Sequence, residues 1–192
     1  MRDVTVVSGV PGVGASRVCQ LARRELGDGY TLLNFGDVML EEAVSRQLVT
    51  SREELSSLSR RDIELLQRRA GEFVASTARN TGVIVNTHLA VATDHGFVPG
   101  LREPVLSDID PSRFVLVEAA PATVADRRGS VEHRAYREQG ERAIDFQQDL
   151  NRAAAMHHAV AVECPVRFVD NAGAAEDAAA ELAAVVSQGD PA

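Results

Sequence analysis

The chain has 192 residues, 45% of them apolar, with only 4% aromatic and no tryptophan, and a formal charge of −8 at pH 7. That length suits one compact domain with an aliphatic, alanine-filled core, and needs neither disulfide nor structural metal. No run approaches the ~18 apolar residues of a membrane span, and the acidic balance argues against a nucleic-acid footprint.

All 20 basic residues are arginine. A carboxylate-rich, lysine-free surface reads as an adaptation to high salt. Met1-Arg2-Asp3 runs straight into a strand pattern without a charged-then-apolar leader, so a cytoplasmic protein is expected. Cys19 and Cys164 lack metal-ligand spacing and read as small buried hydrophobes.

Residues 3–8 form a β-branched run and predict a buried strand that stops at Gly9. Gly9-Val10-Pro11-Gly12-Val13-Gly14 is too glycine-rich for regular structure, and a helix is expected over 16–26, ended by Gly27-Asp28-Gly29. Tyr30–Phe35 is the second expected strand, and Gly36 opens a helix to about Gln47. Thr50 with Glu53, and Ser59 with Asp62, have capping-box spacing, which predicts helices over 51–57 and 60–80.

Val83–Thr87 is the third strand, followed by a loop His88–Leu101 and a helical turn at Pro104–Ser107. Phe114–Ala119 is the fourth strand, and Pro121 suits the first residue of a helix. Residues 129–141 are polar and charged and read as a lid. A long helix over 141–162, a fifth strand at 166–169 and a last helix over 174–186 complete the chain. The alternation predicts an α/β three-layer fold: a five-stranded parallel sheet with helices on both faces, in one domain spanning 1–192, with the helical insertion 36–80 covering a substrate.

Gly9-Val10-Pro11-Gly12-Val13-Gly14-Ala15-Ser16 matches seven of the eight positions of G-x-x-x-x-G-K-[S/T], between a strand and a helix. Glycines let successive N–H groups turn inward toward phosphate oxygens, and the helix dipole adds to them. Ser16 is placed to bind Mg²⁺ through its hydroxyl. The phosphate-gripping lysine is replaced by Ala15, and the neighbouring Arg17 points about 100° further around the helix. The plainer alternative is a glycine-rich turn that only packs strand against helix. Asn34-Phe35-Gly36-Asp37 and Thr87-His88 end strands in one row, where α/β sheets bind ligands. They are the expected floor of the acceptor site, or in the plainer reading an ordinary helix start. The adjacent His157-His158 pair reads as packing.

The chain resembles the archaeal adenylate kinases over nearly its whole length, and a haloarchaeal member is expected from its composition. The resemblance rests on Val7–Gly14, Asn34–Met39, Gln67-Arg68-Arg69-Ala70-Gly71, Thr87-His88, Thr93, Gly96-Phe97, Pro99-Gly100-Leu101, Arg127-Arg128, Arg134 and Asn151–Met156. It implies phosphoryl transfer from Mg-ATP to AMP, a cytoplasmic location and a homo-oligomer, often a trimer. It brings Gly100 into the acceptor site. Arg127, Arg128, Arg134, Arg137 and Arg152 cluster in or around the expected lid, and its closure is expected to bring several of them onto the β- and γ-phosphates; in the plainer reading each is a solvated surface arginine. Arginine suits that task because its planar fork grips phosphate oxygens in pairs.

Three positions depart from the family: Asn86 stands for Asp, Leu55-Ser56-Ser57-Leu58 lacks an arginine for the acceptor phosphate, and Arg102 replaces a proline. Arg60, Arg61 or Arg102 are the expected substitutes for the lost charge. Two other readings stay open: a P-loop kinase for another monophosphate or small metabolite, and a non-catalytic ATP-binding regulator.

Overall fold

The computed structural model describes residues 3–93, 96–129 and 140–188. Arg134, Arg137 and nearly all of the expected lid lie outside the described residues. Five strands, β1 (Val4–Ser8), β2 (Tyr30–Asn34), β3 (Gly82–Thr87), β6 (Arg113–Glu118) and β7 (Val166–Asp170), form one parallel sheet in the order β2-β3-β1-β6-β7.

Alternate residues along each strand serve opposite faces, as the pleat requires. On one face Val7, Ile84, Val115, Val117 and Val169 meet α1 (Ala15–Leu26) and α7 (Ala175–Ser187). On the other Val4, Val6, Val83, Val85, Phe114 and Leu116 meet α3 (Arg60–Thr77), α4 (Glu103–Ile109) and α6 (Glu141–Ala161). Both faces are covered, which is why these strands read as continuous apolar runs. Small side chains on α1 and α7 (Ala22, Ala178, Ala179, Ala183) fill the interior in place of aromatics. Cys19 is fully buried there and burial pushes its thiol up to about 12, so it behaves as a hydrophobe; Cys164 is half-buried.

Ser59 caps α3 as its spacing predicts: its hydroxyl accepts from the Asp62 N–H at 3.2 Å. Pro121 opens α5 (Pro121–Gly129). Thr50 bonds Glu54 through both its N–H (2.7 Å) and its hydroxyl (3.0 Å), and only a short 3₁₀ turn, Glu53–Ser57, follows. The expected loop His88–Leu101 contains an antiparallel hairpin, β4 (Ala90–Thr93) with β5 (Gly96–Pro99). Its strands have four residues each and are largely exposed, too short to show the alternation by which a half-buried strand is recognised. The turn expected at Pro104–Ser107 is the longer helix α4, whose Val105, Leu106 and Ile109 are buried on the sheet.

His158, on α6, stacks on Phe114 of β6 with centroids 6.1 Å apart, and its Nδ1 is buried without a hydrogen-bond partner. Burial chiefly lowers its pKa, and His157 adds to this; Glu103 and the Leu101 carbonyl oppose it. Protons then bind the unfolded chain first, so His158 costs nothing above its ordinary value of 6.5 and destabilises the fold as pH falls below it. Urea unfolding at pH 7.5 and 5.5 should show a smaller acid loss of stability in His158→Leu than in the parent chain.

Candidate active site

Strands β1 and β6 send their connections to opposite edges of the sheet, so a crevice opens beyond their carboxyl ends. The loop Gly9–Gly14 lies there. Its curl depends on Gly12 (φ 87°) and Gly14 (φ 94°), where a β-carbon would be both strained and blocked. At Gly12 it would stand 2.7 Å from the Arg128 side chain; at Gly14, 2.7 Å from Nδ2 of Asn171.

The carbonyls of the loop are held from behind. Nε of Arg128 donates to the Pro11 carbonyl at 2.7 Å. Arg127 and Asn171 both donate to the Val13 carbonyl, at 3.0 and 2.7 Å. Nδ1 of His88 is 2.9 Å from the Gly9 carbonyl, which can only accept, so that nitrogen carries the proton. The Val13 N–H bonds the Val10 carbonyl at 3.1 Å within the loop, and with the Gly9, Pro11 and Val13 carbonyls held from behind the remaining amides are left for the crevice. The first N–H groups of α1 have no intrahelical acceptor, and no side chain caps them at Gly14. Main-chain amides facing a cavity in this way make an anion cradle. Val10, Val13 and Ala15 contribute only main chain, because their side chains are in the core.

Among the described residues Arg128 is the largest fully buried side chain, and its Nη2 also donates to Gln147 Oε1 at 2.9 Å. Two guanidinium groups thus stand against the rear of the loop. Arg17 turns away toward Glu176, 3.6 Å distant, with both side chains more than half exposed.

On β3, Nδ2 of Asn86 donates to the Ser16 hydroxyl at 2.9 Å. That bond uses one lone pair of Ser16 and leaves the other for a cation. Among the described residues no group of three or more His, Cys, Asp or Glu could hold a metal. The free lone pair of Ser16 fits an Mg²⁺ that arrives with a polyphosphate.

Ser8 ends β1 and donates to Oδ1 of Asn151 at 2.7 Å, pinning α6 to the sheet. The next residue, Arg152, extends to the end of β6, where Nε and Nη2 meet the two Glu118 oxygens at 2.9 and 2.7 Å; its Nη1 meets Asp149 at 2.9 Å. Glu118 is the main reason its pKa is raised.

On the acceptor side, Asn34 caps α2 (Phe35–Ser45) by accepting from the Asp37 N–H at 3.2 Å. Phe35 points its side chain into the core with Ala70 and Val74, a correction to its expected place on the site floor; only its main chain is on that row. Of the expected substitutes for the missing acceptor arginine, Arg60 and Arg102 both pair with Glu64, at 2.9 and 2.6 Å, and Arg61 is exposed. Arg52 comes to the floor instead: it pairs with Asp37, and Gly36 has its guanidinium for a neighbour. His88 keeps an edge open to solvent while protein surrounds its ring. Burial chiefly lowers its pKa and the Arg52 charge adds to this, against the Gly9 bond, so it is neutral at pH 7. Thr87 closes β3 beside Ser8.

Arg52, Gln147, Asn151, Glu118 and Asn171 were not among the residues the sequence singles out for roles of their own. Asn151 falls within a resemblance segment; the others carry no local signal.

The family described as AAA domain matches residues 8–145. Among solved structures, a gluconokinase from Sinorhizobium meliloti is 17% identical with a TM-score of 0.58, covering 97% of this chain and 93% of that one. A sugar kinase from Janibacter is 13% identical with a TM-score of 0.52, covering 95% and 92%. These two establish the fold alone. The curated relatives are nearer. An adenylate kinase of Methanothermobacter thermautotrophicus is 38% identical over 168 residues, 88% of this chain and 90% of the relative. One from Thermoplasma volcanium is 36% identical over 183 residues, 95% and 98%. One from Pyrococcus horikoshii is 34% identical over 171 residues, 89% and 87%. With the phosphate loop in place and likeness running across nearly the full length of both chains, this protein belongs to the adenylate kinase family.

Proposed function

We propose that this chain, as an adenylate kinase, moves the terminal phosphoryl group of ATP to AMP through the loop Gly9–Ser16 and gives two ADP, reversibly. The observation that carries the assignment of the loop is its bracing: three of its carbonyls are bonded from behind by His88, Arg127, Arg128 and Asn171, which turns its amides toward a triphosphate.

The reaction needs in-line placement of two nucleotides, exclusion of water, and positive charge around the moving group. Gly9–Ser16 bind the donor phosphates. Arg127 and Arg128 lend charge from the rear and Arg152 from the end of β6, and we add from the lid 129–141 Arg134, on the family resemblance, and Arg137, on its place in that charged segment. Asn34, Gly36, Asp37, Thr87, His88 and Gly100 line the acceptor, within the insertion 36–80 and the loop beside it. Arg52 takes the acceptor phosphate, supported by its place beside Asp37 and Gly36. No general base is required, because the attacking phosphate is already anionic. Ser16 would hold Mg²⁺, which when bound neutralises charge on the phosphates.

We also read the chain as a cytoplasmic homo-oligomer, a trimer on the family resemblance, and as salt-adapted, from its lysine-free surface. A coupled assay with ATP, AMP and Mg²⁺, at low salt and in molar salt, tests the function. ADP formation with AMP ahead of CMP, UMP and GMP is expected, with higher activity in molar salt. ATP binding without ADP would make the chain a regulator, and a different preferred monophosphate would make it another kind of kinase.

A further inference from the structure

Three elements of the site meet at one buried hydroxyl. Ser8, the last residue of β1, is closed to solvent, and so are its two partners, Leu89 and Asn151. Its Oγ accepts from the Leu89 N–H at 3.2 Å and donates to Oδ1 of Asn151 at 2.7 Å. The direction is fixed: an N–H can only donate, so the single hydroxyl proton goes to the Asn151 oxygen.

Each of the three is the chain neighbour of a residue the reaction uses. Ser8 precedes Gly9, where the donor loop begins; Leu89 follows His88 of the acceptor floor; Asn151 precedes Arg152 on α6. The donor loop and the acceptor floor are tied again by Nδ1 of His88, 2.9 Å from the Gly9 carbonyl, and by the pairing of Ser8 with Thr87 in the sheet. Helix α6 leans more heavily on Ser8. Of the two carboxylates that Arg152 meets, Asp149 rides on the same helix, and Glu118 is the one that joins the side chain to the sheet. That pair is partly open to solvent, whereas the bond at Asn151 is buried and fixes the helical turn itself.

We propose that Ser8 is a positioning residue for phosphoryl transfer: its hydroxyl holds the turn of α6 that carries Arg152 at a fixed distance from the acceptor floor at His88. This inference rests on the adenylate kinase reading and adds to it a group that touches neither nucleotide and acts through Arg152. In-line transfer is sensitive to such placement, since an error of ~1 Å costs ~10²-fold in rate. Loss of the hydroxyl also leaves two buried groups without a partner, which weakens the fold. A purely structural loss, however, does not depend on whether Arg152 is present.

The test is therefore a cycle in kcat between Ser8 and Arg152, at saturating ATP and AMP. In the parent chain Ser8→Ala should lower kcat by ~10²-fold and leave KM for both nucleotides within a few-fold. In an Arg152→Ala background the same change should lower kcat by no more than ~3-fold, because the residue it positions is gone. Ser8→Thr keeps the hydroxyl and Ser8→Val, of the same shape, lacks it; Thr should exceed Val in kcat by ~10-fold or more. Thermal unfolding shows which variants are folded at the assay temperature. Asn151→Ala breaks the same chain from the α6 side and carries the cycle if the Ser8 variants are unfolded. A kcat loss of equal size with and without Arg152 overturns the inference, since Ser8 would then only hold the fold together. Parental kcat in folded Ser8→Ala overturns it too, as does equal kcat in the Thr and Val variants. A parent chain that forms no ADP from ATP and AMP removes the adenylate kinase reading, and this inference with it.

Discussion

Arg128→Ala should lower kcat/KM by about 10³-fold or more and destabilise the fold by about 2–4 kcal/mol, the largest combined effect of any single truncation in this chain. The side chain is 1% exposed, and it joins the Pro11 carbonyl to Gln147 of α6. Truncation takes its donors from both acceptors and opens a space beside Gly12, whose φ of 87° is held next to the arginine stem. The loop then loses the bond that keeps one of its carbonyls out of the cradle. Arg128→Lys keeps the charge but offers a point donor where a planar fork spans two directions, so it should recover part of the stability and little of the turnover. Urea unfolding and calorimetry with a non-hydrolysable ATP analogue separate the two losses. An Arg128→Ala protein with parental stability and ATP affinity would refute the bracing of the loop.

The contrast between Arg128 and its surroundings shows what the sequence could convey. The order of strands and helices was legible because both faces of the sheet are covered, which leaves β1, β3 and β6 as apolar runs between punctuating glycines. The loop Gly9–Ser16 was legible because glycine spacing is a local property: the backbone of that segment must curl, and the residues that allow it are adjacent. Its bracing was not. Asn171 and Val13 are 158 positions apart, Ser8 and Asn151 are 143 apart, and Arg128 reaches Pro11 across 117. Such contacts leave no periodicity, and an arginine in a polar segment looks the same whether it ends in solvent or in the core.

The acceptor side illustrates the same limit. The missing arginine near Ser56 was visible, but of its three expected substitutes, Arg60, Arg61 and Arg102, the first and last are drawn to Glu64 by a geometry that only the folded helix provides. Arg52 arrives at the floor because a short 3₁₀ turn follows it and sets its direction toward Asp37. The hairpin β4–β5 escaped for a different reason: two four-residue strands, mostly exposed, need neither face of a core and so carry no amphipathic signature.

Arg152→Ala should reduce kcat by about 10³-fold while leaving KM for ATP within a few-fold, the mark of a contact made in the transition state and not in the ground state. Its guanidinium carries five N–H groups. Glu118 takes one on Nε and one on Nη2, and Asp149 takes one on Nη1. One N–H on each terminal nitrogen is left, so Arg152 keeps both carboxylates and still presents a pair of donors. The carboxylates hold the plane of the fork steady, and a group ordered before the reaction does not have to be ordered during it. Stability should change little, because the side chain is 40% exposed and solvent screens such pairs. Arg152→Lys should remain at least ~10²-fold impaired, since an ammonium cannot serve Glu118 in two directions and a phosphoryl group as well. Turnover near the parental rate in Arg152→Ala would mean that the charge over the transferring group comes from other arginines, and that the bond to Glu118 only fastens α6 to the end of β6.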